Sequence, residues 1–402
     1  MGRDIDGLAQ ARKNKEFTID ARRYLHQHPE LSGVEFETLA YIRANLDFLG
    51  ISWVEVAEGG ILASLGDQGK GKTLLLRADI DALPIQENPR NLTRGRAVIS
   101  ENPGIQHACG HDAHTAMLLT AGKILKEYEQ DIPGRVLLMF ERGEERGGNL
   151  NQILQYIKDQ EIHIHGSHAI HVRPGVPAGK IVVIDGPVMA GACGFNITII
   201  GKDGHSSRPD LANNPLDCFS SFYQSLKDIR LRNISPFEHF TLSVGKLNFG
   251  EKTNIIAREL NFQGSARFFR EESGDRFFET FNLLLDNTAR AHHCTYTINH
   301  QLRGIPVINR DPAVRFSRQG IRKYLGDDYL IDQYDPMMGA DDFALIAKLY
   351  PSVMIHLGID NPEKGSGADL HTDIFDLDEE VLHLGVAATI GFVLEFLGDG
   401  RG

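Results

Sequence analysis

The ten residues K-T-L-L-L-R-A-D-I-D at positions 72–81 decide the fold. The run is short and apolar, as a central strand buried on both faces requires, and it ends in two carboxylates, Asp79 and Asp81. The same design recurs. R-V-L-L-M-F at 135–140 ends in E-R-G-E-E-R-G-G, the stretch 163–172 ends in H-A-I-H-V, and V-M-I-H-L at 353–357 precedes a Gly-rich loop containing L-H-T-D. Ligands of open α/β sheets bind outside the carboxyl ends of the strands, so four strands bring metal-type side chains to one edge. Helices are expected at 16–28, 35–49, 149–158, 313–324 and 379–397, with a hairpin of 53–57 and 60–65 around Glu58 and Gly59. The fold class is α/β: a mixed, mostly parallel sheet flanked by helices.

A stretch of different character interrupts this pattern. From 190 to 301 the spacing predicts strand 195–201, helix 215–229, strands 240–247 and 259–268, helix 272–291 and strand 295–300. That order, βαββαβ, is ferredoxin-like. The chain therefore divides into 1–189 with 302–402 as one domain and 190–301 as an insertion.

I-Q-H-A-C-G-H-D-A-H-T at 105–115 carries the chemistry. His107, Cys109, His111, Asp112 and His114 are the side chains that bind borderline transition metals. A lone Cys is usually a small buried hydrophobe and a lone His a hydrogen-bonded one, but few structural roles ask for the cluster. Asp112 reads as the N-cap of a helix through the apolar residues 116–119. Spacing leaves the ligand set open: Cys109 and His111 share a side on an extended loop, whereas His111 and His114 share a helical face. Glu144 and Glu145, being adjacent, point different ways, so one can hold metal while the other faces substrate. His168 and His171, at odd spacing on one strand, face opposite sides, and only one should reach the site. Of Asp79 and Asp81, one carboxylate can orient a ligand histidine; the competing reading has Asp81 capping a turn. His371 reads equally as a ligand or a surface histidine. His26, His28, His163, His165, His292 and His293 read as surface or structural.

Composition narrows the class. With 402 residues, 42% hydrophobic and a formal charge of −12, the chain is long enough for two packed domains and unlike a nucleic-acid or anionic-membrane binder. Four scattered cysteines suit a reducing compartment. The first residues lack a signal or myristoylation pattern, and no run approaches transmembrane length, so a cytoplasmic protein is expected.

Taken together, L-H-Q-H-P-E-L-S (25–32), L-R-A-D-I-D-A-L-P-I (76–85), H-A-C-G-H-D-A-H-T-A (107–116), the Glu144–Glu145 pair, I-H-V (170–172), G-H-S-S-R-P (204–209) and L-H (370–371) resemble the hippurate-hydrolase and auxin-conjugate amidohydrolase family. This is a branch of the metallo-amidohydrolases that include aminoacylase and glutamate carboxypeptidase. The resemblance implies a catalytic domain with two divalent metals, Mn²⁺ or Zn²⁺ with Co²⁺ or Ni²⁺ as options, and an inserted lid domain that forms a homodimer. It maps the ligands onto Cys109, His111, Glu145, His171 and His371, makes Glu144 the general base, and leaves His107 and His114 outside the ligand set. Asp81 is the expected orienting carboxylate. The same resemblance implies that His205 completes the active site as an oxyanion stabiliser and that Asn254 and Arg267 bind a substrate carboxylate. The implied substrate is a small N-acyl- or aminoacyl-amino acid; a dipeptidase or aminopeptidase is the alternative, and a non-catalytic metal or amino-acid binder a more distant one. The chain departs from the family pattern at F-E-R-G-E-E (140–145), G-A-D-D-F (339–343) and Arg173. Those departures bear on substrate preference.

Overall fold

A computed structural model describes residues 5–67, 69 and 71–399; the reading of residues 1–4 as free of a targeting signal lies outside them. The chain forms two units, Met1–Gly186 with Ile308–Asp335 and Leu345–Gly402, and Pro187–Val307 with Pro336–Ala344. Segment 336–344 belongs with the second because the Ala190 N–H donates to the carbonyls of Met337 and Gly339, 3.0 and 2.8 Å away.

The first unit is built on an eight-stranded mixed sheet. Its order is Ser52–Val56, Gly60–Gly66, Gly134–Glu141, Lys72–Asp79, Gly166–Pro177, Ser352–Asp360, Ile181–Val182 and Leu330–Ile331. The four central strands are parallel, and the edge pair Ser52–Val56 and Gly60–Gly66 is an antiparallel hairpin. Leu74, Leu75 and Leu76 are fully buried, as a strand covered on both faces demands. Helix Phe36–Leu49 stops where Gly50 adopts φ +65°, a left-handed cap that favours glycine. An additional short helix, Gly7–Lys13, capped by the Asp6 side chain, precedes those expected.

Two expectations need correction. The strand expected at 163–172 runs Gly166–Pro177, because its parallel pairing with Ser352–Asp360 continues through Arg173 and Pro177. And one stretch, Glu379–Gly398, is long and apolar enough to cross a membrane, against the expectation that no run approaches that length. Most of it is buried within its own unit: Phe396 lies 5.0 Å, ring to ring, from Phe316, and Phe392 lies 4.9 Å from His168.

His168 is 2% exposed, and burial alone lowers its pKa to about 3. Between that value and the unfolded reference of 6.5 the unfolded chain binds the extra proton, so stability rises with pH across this window, is complete above it and is lost on acidification. From pH 6.5 to 5 this one ring costs about 2 kcal/mol. His168→Leu is therefore expected to lose less thermal stability than the parent between pH 7.5 and 5; equal losses would show that His168 is not the acid-sensitive group.

The second unit has an antiparallel sheet ordered Phe240–Phe249, Glu259–Phe268, Gly191–Ile200 and Thr295–Arg303. With helices Pro215–Arg232 and Glu271–Ala291 it completes βαββαβ in sequence order. Phe195, Phe222, Phe262, Phe277 and Phe281 form its core, with Phe195 and Phe281 at a ring separation of 4.8 Å.

Candidate metal centre

The site is assembled at the carboxyl edge of the parallel strands. Helix His111–Glu127 begins directly after Gly110, whose φ of +85° turns the backbone sharply between Cys109 and His111. A Cβ at that position would lie 2.4 Å from Val172 Cγ2, so both conformation and space call for glycine. Strand Gly166–Pro177 brings His171 to this turn, its Nε2 3.6 Å from Cys109 Sγ.

Several sets of donor atoms result, one of them Asp79, His111 and His114, and two of them meet at one residue. Cys109, His111 and His171 offer one atom each within 4.8 Å of one another; so do Cys109, Glu145 and His371. Cys109 is the member they share. His371 holds φ +60°, unusual for a side-chain-bearing residue, with its N–H donated to the Ala108 carbonyl at 2.9 Å. That backbone sets the ring 3.1 Å from Glu145 Oε1.

Asp81 joins the pieces. Its Oδ1 is 3.2 Å from His111 Nδ1, while its Oδ2 accepts the Ser32 hydroxyl at 2.6 Å and the Glu145 N–H at 3.1 Å. One carboxylate thus orients the His111 ring and fixes the backbone of Glu145. His111 Nε2, on the far side of the ring, is buried without a hydrogen-bond partner. A buried ring nitrogen left open beside a thiol and a second imidazole is what a metal ion satisfies, and S, N and O donors together suit a borderline cation. Burial pushes the Cys109 thiol above its ordinary range, and a cation is what would bring it down to the thiolate.

The other histidines are engaged differently. His114 uses both nitrogens, Nδ1 2.7 Å from Asp79 Oδ1 and Nε2 accepting the Val172 N–H at 2.9 Å. His107 is buried and lowered to about 4 by that burial, and neither ring nitrogen has a hydrogen-bond partner. Asp112 is not the helix N-cap: Gly110 occupies that position, and Asp112 Oδ2 instead accepts from Arg22 Nε at 2.9 Å and lies 2.7 Å from His26 Nδ1. The Arg22 and His26 charges hold the Asp112 carboxyl well below its usual range despite its burial. His26, read as surface or structural, is fully buried and structural: it bridges Asp112 to Glu87, its Nε2 2.8 Å from Glu87 Oε1.

Glu144 is half-buried on the turn following strand Gly134–Glu141, and it belongs to a further set with His111 and Glu145. The charges of F-E-R-G-E-E that depart from the family pattern are paired internally. Glu141 Oε2 accepts from Arg77 Nε at 2.7 Å, and Arg142 Nε donates to Glu35 Oε2 at 2.9 Å. Glu35 Oε1 also accepts the Gly143 N–H at 2.8 Å. Glu35 and Asp81 therefore pin the backbone at 143 and 145, on either side of Glu144. Sequence reading missed Glu35, whose partners Arg142 and Gly143 lie more than 100 residues away.

The remaining expected residues lie in the second unit. His205 pairs across a two-stranded ribbon with Ile255, and Asn254 accepts the Ser206 N–H through its carbonyl at 3.1 Å, which makes those two neighbours. The Ser207 hydroxyl lies 2.8 Å from His205 Nδ1. Arg267 is on the four-stranded sheet, half-buried, its pKa lowered by that burial.

The model of peptidase family M20/M25/M40 matches residues 75–395. N-acetyl-L-cysteine deacetylase of Bacillus subtilis is 31% identical over 90% of this chain and 84% of its own length. IAA-amino acid hydrolase ILR1-like 4 of Arabidopsis thaliana is 30% identical, covering 97% of this chain and 88% of that protein. A Bacillus subtilis dinuclear metal-binding peptidase of the M20 family shares the fold, with a TM-score of 0.79 at 24% identity over 96% of this chain and 99% of that one. The chain belongs to the M20/M25/M40 peptidase family.

Proposed function

We propose that this protein is a dinuclear metallo-amidohydrolase that cleaves the amide bond of N-acyl- or aminoacyl-amino acids. The observation that carries this reading is the pair of donor sets sharing Cys109, with Glu144 beside them. Cys109, His111 and His171 would hold one divalent ion, and Cys109, Glu145 and His371 the other. Manganese and zinc are the proposed metals, with cobalt and nickel compatible with the same donors. When bound, the ions supply Lewis acidity that activates a water and polarises the amide carbonyl.

The chain's own groups do the rest. Asp81 Oδ1 accepts a hydrogen bond from His111 Nδ1–H, leaving the unprotonated Nε2 as the nitrogen that would ligate metal. Glu144 accepts a proton from the attacking water and delivers it to the departing amine as the C–N bond breaks, so that water is added across the amide and Glu144 ends in its starting state. His205 is assigned as oxyanion stabiliser and Asn254 and Arg267 as carboxylate binders, roles that rest on the family resemblance, as does the second unit's role as a lid and dimerisation domain.

The test is metal stoichiometry on purified protein, with hydrolysis of acetyl-, benzoyl- and aminoacyl-amino acids before and after chelation. Near two ions per chain, and turnover that chelator abolishes and one divalent ion restores, is the expected result. Turnover confined to substrates with a free α-amine would move the assignment to a dipeptidase or aminopeptidase. A fully metal-loaded protein without turnover that binds product tightly would make it a binding protein.

A further inference from the structure

Four arginines are buried among the described residues: Arg22, Arg77, Arg142 and Arg173. Three have a carboxylate at ion-pair distance, Arg22 with Asp112 at 2.9 Å, Arg77 with Glu141 at 2.7 Å and Arg142 with Glu35 at 2.9 Å. Arg173 is 7% exposed and makes no ion pair with any described residue. A guanidinium cannot shed its proton, and burying one without a counter-charge is costly.

What surrounds Arg173 is neutral. Nη1 lies 3.0 Å from His356 Nδ1, and Nη2 donates to the Asp335 carbonyl at 2.5 Å. The Tyr334 ring covers the guanidinium at 4.6 Å and is itself tied by its hydroxyl to the Gly175 carbonyl at 2.7 Å. Asp335 adds its negative charge only from beyond ion-pair distance. These contacts fix the guanidinium without neutralising it.

A second observation points the same way. Arginine can only donate, so His356 Nδ1 is the acceptor in that contact and the ring proton sits on Nε2. His356 is fully buried and its Nε2 has no hydrogen-bond partner among the described residues. A cation without a paired carboxylate and an N–H donor without an acceptor thus lie together.

Their place in the sheet connects them to the proposed chemistry. Arg173 is two residues beyond His171 on one strand and so shares its face. His356 is the direct parallel partner of His171, with ring centroids 6.3 Å apart. The guanidinium is therefore one ring removed from a proposed metal ligand.

We propose that Arg173 and His356 form a subsite for a second carboxylate on the substrate, making this enzyme selective for dianionic amide conjugates. The proposal rests on the amidohydrolase reading and names its substrate class. Arg267 and Asn254 are assigned to the α-carboxylate, so the second charge sits either on the side chain of the released amino acid or on the acyl group.

Two matched pairs on the metal-loaded enzyme distinguish those sources: N-acetyl-L-glutamate against N-acetyl-L-glutamine, and N-succinyl-L-leucine against its terminal amide. A charge-assisted contact in a buried site predicts that kcat/KM for the charged member of one pair exceeds that of its neutral isostere roughly 10- to 100-fold. The pair that shows it identifies which side carries the charge. In Arg173→Gln the ratio is expected to fall towards one, and in Arg173→Lys to recover in part. A ratio near one in both pairs for the parent enzyme overturns the proposal while leaving the hydrolase reading intact, and so does a ratio that survives in Arg173→Gln. If neither pair is hydrolysed, the hydrolase reading is at fault, and calorimetric binding of the same four compounds then reads the charge preference directly.

Discussion

Glu144→Gln is expected to lower kcat on the order of 1,000-fold while metal content stays at the parental level. The structure separates the two properties. Glu144 is absent from both donor sets that share Cys109, so its amide removes a proton acceptor without removing a proposed ligand of either ion. Its backbone is held by neighbours that the substitution does not touch, Gly143 by Glu35 and Glu145 by Asp81. The amide keeps the size of the carboxylate and cannot accept a full proton at neutral pH, so the loss should fall on kcat, with KM changed little. Turnover within about tenfold of the parent would remove Glu144 from the role of general base. Loss of metal would instead reassign it as a ligand, through the further set it forms with His111 and Glu145.

Legibility in the sequence followed the range of the interaction. Strand Lys72–Asp79 and its neighbours announce themselves because an apolar run buried on both faces needs no partner to be recognised, and the polar residues after it mark the edge where chemistry gathers. Period alone also separates His168 from His171: the first packs on Phe392, the second approaches Cys109. What spacing could not decide was whether His111 joins Cys109 or His114. In the structure Asp79 and the Val172 N–H engage both nitrogens of His114.

Failures were of one kind. Asp112 has the sequence signature of a cap, but Arg22 and His26 reach it from 90 and 86 residues away and take its carboxylate. Arg142 looks like added charge beside the site, and Glu35, 107 residues upstream, cancels it. Arg173 is the opposite case. It also departs from the family pattern, and among the described residues no carboxylate comes within ion-pair distance of it.

Cys109→Ala and His371→Ala should part company in metal content. Cys109 is the one residue common to the two proposed sites, whereas His371 belongs only to the set with Glu145. Removing His371 leaves Cys109, His111 and His171 as a complete trio with Asp81 still orienting His111, so this variant should retain near one ion per chain. Removing the thiol takes a donor from both sets at once, together with the anionic charge that lets two dications lie close, so occupancy should drop well below one. Elemental analysis after dialysis reads the difference without reference to turnover. Thermal melting gives an independent measure, since an ion that binds only the folded chain raises Tm: chelator should lower Tm most in the parent, less in His371→Ala and hardly at all in Cys109→Ala. Equal metal loss in the two variants would mean that the sites fill only as a pair. If instead Cys109→Ala kept one ion, the thiol would belong to one site alone, and the second ion would depend on Glu144 and Glu145, which with His111 form a further donor set at this edge.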